Sequence, residues 1–438
     1  MFAQIVKFEL SYHARQPLVY VVSIVLFLLS FGATVSDNIS VGGTITNINI
    51  NSPFNVIIVL ASISFLTSLV AGVAYASSPV LRDFDQNTAE FFLTTRVNKF
   101  DYLIGRFCGA LTFCFIVYFA AAFGIFLGEF MPWIDPERLG PLRLDAYWFA
   151  TWAIAMPNIL MMATLVFLIA TLTRSLMASF TVLIMILVIQ SVVASLVDPE
   201  DIRLLSLLDP FGQAALVDVT RYWTPFEMNE QIMPITGNFL YNRLFVIVIS
   251  LLFILITYRF FPFSLDVVAD KSKLEKLIAL FKKRPKTIRF IPVFKKRVRV
   301  FQRFDFRTEL QQFLSLMRIE TYNIIAGKAF LMMLLLGVFQ VGANAYFGLG
   351  GVYGTENYPT TDTMVFIING SYTIPLIAVL IFYSSELLMR ERNVHVSEIV
   401  DSMPFPNWVV IGAKLAGLML VIGAMLLVAI LTAIIVQI

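Results

Sequence analysis

Two stretches of this chain place charged and small polar residues at spacings suited to gripping another protein. LRDFDQNTAEFFLTTRVNKFDYLIGRF, residues 81–107, sets three Arg, one Lys, three Asp and one Glu around the apolar core AEFFLTT. Shifted by 308 residues, it aligns with MRERNVHVSEIVDSMPFPNWVVIGAKLAGL. Arg82 then falls on Arg390, Glu90 on Glu398, Arg106 on Lys414 and Gly109 on Gly417. A short helix with an apolar face (Ala89, Phe92, Leu93) and charged flanks can seat in a groove of a partner, where Glu90 and Glu398 would meet basic groups.

Bond-making chemistry finds little support beside this. The two histidines, His13 and His395, lie far apart in sequence. Cys108 and Cys114, six residues apart in one apolar helix, point to different faces, which excludes a disulfide between them. There is no HExxH and no GxxxxGK[ST], so the chain has no recognisable zinc site or P-loop of its own. Asp198, Glu200 and Asp201 read as a helix cap in an acidic rim rather than as cation ligands. The expectation is a protein without catalytic residues, cofactor or metal in this chain.

The elements that must position these segments are membrane spans. The 438 residues are 58% hydrophobic and 14% charged, with a mean hydropathy of +0.82. A soluble domain carries about 25% charged residues. Apolar runs long enough to cross a ~30 Å hydrocarbon core recur throughout, which makes this an all-α polytopic membrane protein. Nine spans are predicted, over 17–34, 54–77, 105–129, 147–172, 179–197, 243–262, 327–347, 365–387 and 409–437. Lys and Arg set their orientation. The segment 263–326 holds fifteen, and the loops 35–53 and 348–364 hold none. Positive residues stay inside, so the N-terminus and residues 78–104 and 388–408 are predicted to be cytoplasmic.

Between these elements, 198–242 carries seven acidic residues and reads as short helices on the outer surface. KSKLEKLIALFKKR (271–284) has the pattern of an interfacial amphipathic helix on anionic lipid. Past Pro285 the pattern shifts toward a short extended segment. This basic run directly follows a span, so it reads as a membrane-surface linker and not as a nucleic-acid site.

KFELSYHARQPLVY at 7–20 and RIETYNIIAGKAF at 318–330 also read alike, each before a span. Residues, spacing and hydropathy together point to an internal duplication in parallel orientation. Residues 1–262 form a first six-span half, 263–317 a basic linker, and 318–438 a second half that ends after its third span. The chain therefore reads as a portion of a longer polypeptide. Phe2, Ile5, Val6 and Leu10 suit an entry helix at the inner interface, repeated by TELQQFLSLMRIETYNII. Gly105/Gly109 and Gly124/Gly128 form two GxxxG patterns for close helix packing, with a contact between the halves as one reading. Pro157 and Gln190 read as a kink and an interhelical hydrogen bond.

The inside segments resemble the coupling helices of type-two ABC exporter permeases. TAEFFLTTRVNKFDYLIGRF supplies Thr88, Glu90, Thr94, Thr95, Val97, Gly105 and Arg106 of that family's pattern, with Arg96 in place of the usual Pro. SEIVDSMPFPNWVVIGAK restores the proline as Pro404 and keeps Glu398 and Lys414. The resemblance implies an exporter permease in a bacterial inner membrane, driven by a separate cytoplasmic ABC ATPase, two copies of it, which would hold the ATP and Mg. Arg82, Thr88, Ala89, Glu90, Phe92, Leu93, Arg390 and Glu398 would then be the ATPase-coupling residues. Membrane lipids surround the spans, and a second copy or a separate permease is a further candidate partner. The layout is also similar to long double-half permeases fused to a zinc aminopeptidase-like domain, which would place any peptidase beyond Ile438. Spans almost free of charge suggest an apolar or amphipathic substrate, with no buried acid–base chain for ion coupling. A secondary carrier, or a membrane scaffold for a fused peptidase, is the alternative.

Overall fold

The structure is a computed structural model that describes residues 1–36, 48–86, 88–196, 202–261, 263, 305–347, 358–393, 396–403 and 406–437. The expected linker helix over 271–284 and the extended segment after it, the acidic trio Asp198, Glu200 and Asp201, and His395 and Pro404 lie outside the described residues. The chain divides into two compact units, one built on Met1–Phe263 and the other on the described residues from 305 onward.

In the first unit, the entry helix α1 (Phe2–Ala14) leads into α2 (Pro17–Val35). Next comes α3 (Pro53–Ala71), whose start is fixed by Ser52: its Oγ accepts the Asn55 N–H at 3.2 Å, and Pro53 takes the first helical position. A π-helical turn over Gly72–Ala76 carries α3 into α4 (Ser78–Asp85). The short α5 (Ala89–Thr94) precedes the long α6 (Lys99–Gly128). Then α7 (Leu144–Phe149) passes through a second π segment, Ala150–Ala155, into α8 (Met156–Thr173). The unit closes with α9 (Leu176–Leu196), the short helices α10 (Ile202–Leu208), α11 (Gln213–Thr220) and α12 (Pro225–Glu230), and α13 (Gly237–Phe260). Short helices between residues 198 and 242 are what the acidic loop was expected to form. The second unit contains α14 (Phe306–Ile325), α15 (Lys328–Phe347), α16 (Thr361–Asn393), α17 (Ser397–Asp401) and α18 (Asn407–Gln437).

Among the described residues seven helices are long and apolar enough to cross a membrane, which makes this a multi-pass all-α membrane protein. An eighth is α16, which bends by 44° at Pro375, where the ring removes a backbone donor. The remaining predicted span, 179–197, falls on the apolar helix α9, which is not one of these seven.

The core of the first unit sits where α3, α6, α7 and α8 meet, around Ile57, Leu60, Val117, Ala121, Ile154 and Ile159. Both GxxxG patterns are packing surfaces within this bundle. Gly105 and Gly109 receive α1: an added Cβ would come 3.1 Å from Ile5 Cγ2 at one and 3.1 Å from Glu9 Cγ at the other. Gly124 and Gly128 receive α2, with a Cβ falling 2.6 Å from the Phe27 carbonyl oxygen and 2.8 Å from Thr34 Cβ. The contact read as lying between the halves is thus made inside one of them. Pro157 follows directly on the π segment inside the continuous helix Leu144–Thr173, where its ring removes one backbone donor. Cys108 and Cys114 are free thiols.

Two ends of this bundle can be told apart. The near end carries residues 86–98, and there the Arg174 guanidinium stacks over Phe84 at 4.0 Å. At the far end, Asn51 bonds Gly140 in both directions at 2.7 Å, and Asn229 Oδ1 accepts the Asn49 N–H at 2.9 Å. The turn between α10 and α11 wedges into that end, Phe211 meeting Phe65 edge-on at 4.6 Å.

Candidate functional site

At the near end of the first unit, four charged side chains from three helices converge. Glu9 of α1 accepts from Arg82 of α4 at 2.6 Å, and its Oε1 also accepts from Arg106 of α6. Arg106 reaches on to Asp83 Oδ2 at 2.6 Å, and the Tyr102 hydroxyl donates to the same oxygen at 2.7 Å. Glu9 is 0% exposed, Arg106 1%, Asp83 3% and Arg82 9%. Buried charges persist when paired and hydrogen-bonded, and here two guanidiniums meet two carboxylates. Aromatic rings complete the wrapping, with Arg82 over Tyr12 at 3.8 Å and Arg106 over Phe92 at 4.8 Å. This clasp ties the entry helix to both helices that flank residues 86–98. The spans were expected to hold no buried acid–base chain for ion coupling; this paired cluster lies at the near end of the unit.

His13 lies one turn beyond Glu9, fully buried, its Nε2 3.5 Å from Glu9 Oε2. Tyr12, Tyr75 and Phe113 surround the ring at 5.4–5.5 Å. Burial lowers its pKa from the usual histidine value; Glu9 opposes the shift, and Arg82 and Arg106 add to it. The ring is therefore neutral at pH 7, and protonation is favoured by unfolding. Its contribution to stability is fully present above the ordinary histidine pKa and is lost as pH falls through the lowered one. The free energy of unfolding in detergent is expected to fall as the pH drops from 7.5 to 5.5, by no more than about 1.4 kcal/mol per pH unit for this one proton, and the melting midpoint with it. His13→Ile should flatten that part of the profile, and an unchanged slope would show that other groups carry it.

The second unit contains the same pattern. Arg390 of α16 donates to Glu320 of α14 at 3.0 Å, and Lys414 of α18 pairs with Glu391 at 2.9 Å. Arg82, Asp83 and Arg106 become Arg390, Glu391 and Lys414 at a constant shift of 308, and Glu9 becomes Glu320 at 311. The backbone repeats as well. The Thr88 N–H bonds the Asp83 carbonyl at 2.8 Å, and the Val396 N–H bonds the Glu391 carbonyl at 3.0 Å. Next in each copy, the Phe91 N–H bonds the Thr88 carbonyl and the Ile399 N–H the Val396 carbonyl, both at 3.1 Å. Gly417 lies against Glu320 as Gly109 lies against Glu9, an added Cβ falling 3.6 Å from Glu320 Cβ. Ile324 stands at the position equivalent to His13 and is buried.

The short helices carried by these clasps are α5 and α17. Of the residues singled out by sequence, Arg82 and Arg390 are clasp members, and Thr88 closes the turn before α5. Ala89 is buried, and Phe92 turns inward to Tyr102 at 5.9 Å. Glu398 is exposed, and the side chains of Glu90 and Leu93 lie outside the described residues. Among the described side chains of α5 the outward apolar residue is Phe91, 73% exposed, and its counterpart at the 308 shift is Ile399, 60% exposed. A large apolar side chain held out from a charged loop is a contact seeking a partner. Sequence reasoning met Glu9 and Glu320 only as an acid two residues after a base, and it passed over Asp83 and Glu391. The signal available was an acid and a base side by side, Arg82-Asp83 and Arg390-Glu391, recurring at the same shift.

Among the described residues, no group of three or more His, Cys, Asp or Glu side chains is placed to hold a metal ion. No protein-family model, curated protein or solved structure matches the chain.

Proposed function

We propose that this chain is the membrane-spanning permease of an ATP-driven exporter of the type-two ABC kind. It arose by duplication of a half that begins with an entry helix and presents one short coupling helix. The observation that carries the reading is the repeated near-end geometry. Two short helices, which hold Phe91 and Ile399 out exposed, lie beside matching ion pairs that join an entry helix to the spans on either side. Such bracing passes a push on the short helix to three helices at once. In this reading the near end faces the cytoplasm of a bacterial cell, the N-terminus is inside, and α9 and α16 both span the inner membrane, giving nine crossings. ATP and Mg are held by a separate ATPase, one subunit under each short helix, and the chain itself carries out no bond chemistry. The paired charges of the clasp sit at one end and balance, which suits bracing better than the mid-membrane proton relay of a carrier.

Affinity purification from native membranes in mild detergent, with mass spectrometry and an ATPase assay, tests this. Wild type should recover an ATP-binding subunit and ATPase activity, and Glu90→Arg with Glu398→Arg should lose both at least tenfold. Failure of any ATPase to copurify would overturn the exporter reading.

A further inference from the structure

The first unit contains a cavity of about 450 Å³ between α8, α9, α10, α11 and α13. Ile186, Ile189, Phe245 and Ile249 line it toward the middle of the bundle. Ile249 lies twelve residues into α13, roughly 18 Å from its start, or about the depth of one leaflet. Gln190, Asp209 and Gln213 stand at its far-end pole. The cavity opens sideways onto the lipid-facing surface, where Ile189 and Phe245 are each about half exposed.

The polar pole is half satisfied. Asp209 accepts the N–H groups of Phe211 at 2.9 Å and Ala214 at 2.8 Å. Its charge is offset by the buried Arg243, which is held by Asn158 at 2.8 Å and by Asn242. The amides of Gln190 and Gln213 make no hydrogen bond to any described residue. Within a membrane, an unpaired side-chain amide is costly and draws a partner. The pole therefore offers hydrogen bonds without net charge, so a phosphate would find no uncompensated cation to pair with there.

We infer that this cavity binds an amphiphile with one acyl-length tail and an uncharged, hydroxyl- or amide-bearing head. The tail lies along Ile186 and Ile249, and the head reaches Gln190 and Gln213. The volume is at the small end of the range for ligand sites and suits one chain rather than two. The inference rests on the exporter reading only for calling this ligand a substrate and for placing it in the outer leaflet.

The test uses the full chain in nanodiscs, without an ATPase, and a monoacylglycerol with a photoreactive group in its tail. Labelled peptides are then mapped. Labelling should concentrate on 186–190 and 245–249. Unlabelled monooleoylglycerol should displace it about tenfold better than lysophosphatidylglycerol. Gln190→Leu should weaken it about tenfold, and Ala214→Trp should abolish it. Ile189→Trp, at a half-exposed position, fills the same space and should also abolish it, whether or not Ala214→Trp folds. Labelling spread evenly over lipid-facing helices such as α2, or unchanged by either Trp, would overturn the site. Equal displacement by the anionic lipid would overturn the assignment of the head. Because no ATPase is present, these outcomes are independent of the copurification result.

Discussion

Glu9→Leu is expected to destabilise the first unit by about 3–5 kcal/mol, the range for removing one partner of a buried ion pair. The change leaves two guanidiniums, Arg82 and Arg106, close together in a site that excludes water, with only Asp83 to offset them. Glu9→Gln keeps the size of the side chain and should cost nearly as much, because charge and not shape is what is lost. The equivalent Glu320→Leu should cost far less. Its partner Arg390 is 42% exposed, so water can solvate the abandoned charge, and an exposed pair contributes about 0–1 kcal/mol. Thermal unfolding in detergent measures both, with a midpoint drop on the order of 10 °C for Glu9→Leu. Equal effects in the two units would contradict the assigned difference in burial. In membranes, loss of the Glu9 clasp should also free α1 from α4 and α6, and under the proposed exporter function it should uncouple ATP hydrolysis from transport before the bundle itself melts.

The second large effect belongs to the two outward apolar residues. Under the proposed function, Phe91→Asp or Ile399→Asp alone should weaken association with an ATPase subunit about thirtyfold, the loss of one interface hot spot of roughly 2 kcal/mol. The double variant should abolish association and ATP-driven transport. Both side chains are exposed, so the unfolding midpoint should stay within a degree or two of wild type, which separates this result from the Glu9 variants. Phe92→Asp offers the contrast. That ring packs on Tyr102 and Arg106, so its loss should lower stability as well as coupling.

Much of this architecture could be read from hydropathy. The entry helices α1 and α14, the spans, and the short helices between 198 and 242 follow from apolar runs about 20 residues long and the polar segments between them. The clasp was harder to see. Glu9, Arg82, Asp83 and Arg106 belong to three helices, and each looks like an ordinary charge flanking a span until the fold brings them together. The direction of α5 was illegible for a related reason. A helix of six residues has no periodicity to show its buried face. That face is set by Tyr102 and Arg106, which draw Phe92 inward and leave Phe91 in water. The glycine pattern was visible, but its partner was not: Gly109 accommodates Glu9, and only the fold reveals that α1 is the helix it admits. Gln190 was read as a hydrogen-bonding residue within a span, whereas in the fold its amide faces a cavity whose other walls come from residues 161 to 249.

Site-specific photocrosslinking tests the central claim most directly. A photoreactive phenylalanine analogue would be placed at Phe91, at Ile399 and, as a lipid-facing control, at Phe123, in the full-length protein in native membranes. Positions 91 and 399 should capture the same ATP-binding protein, and 123 should capture none. Capture of no ATP-binding protein at 91 and 399, or equal capture at all three positions, would contradict that claim.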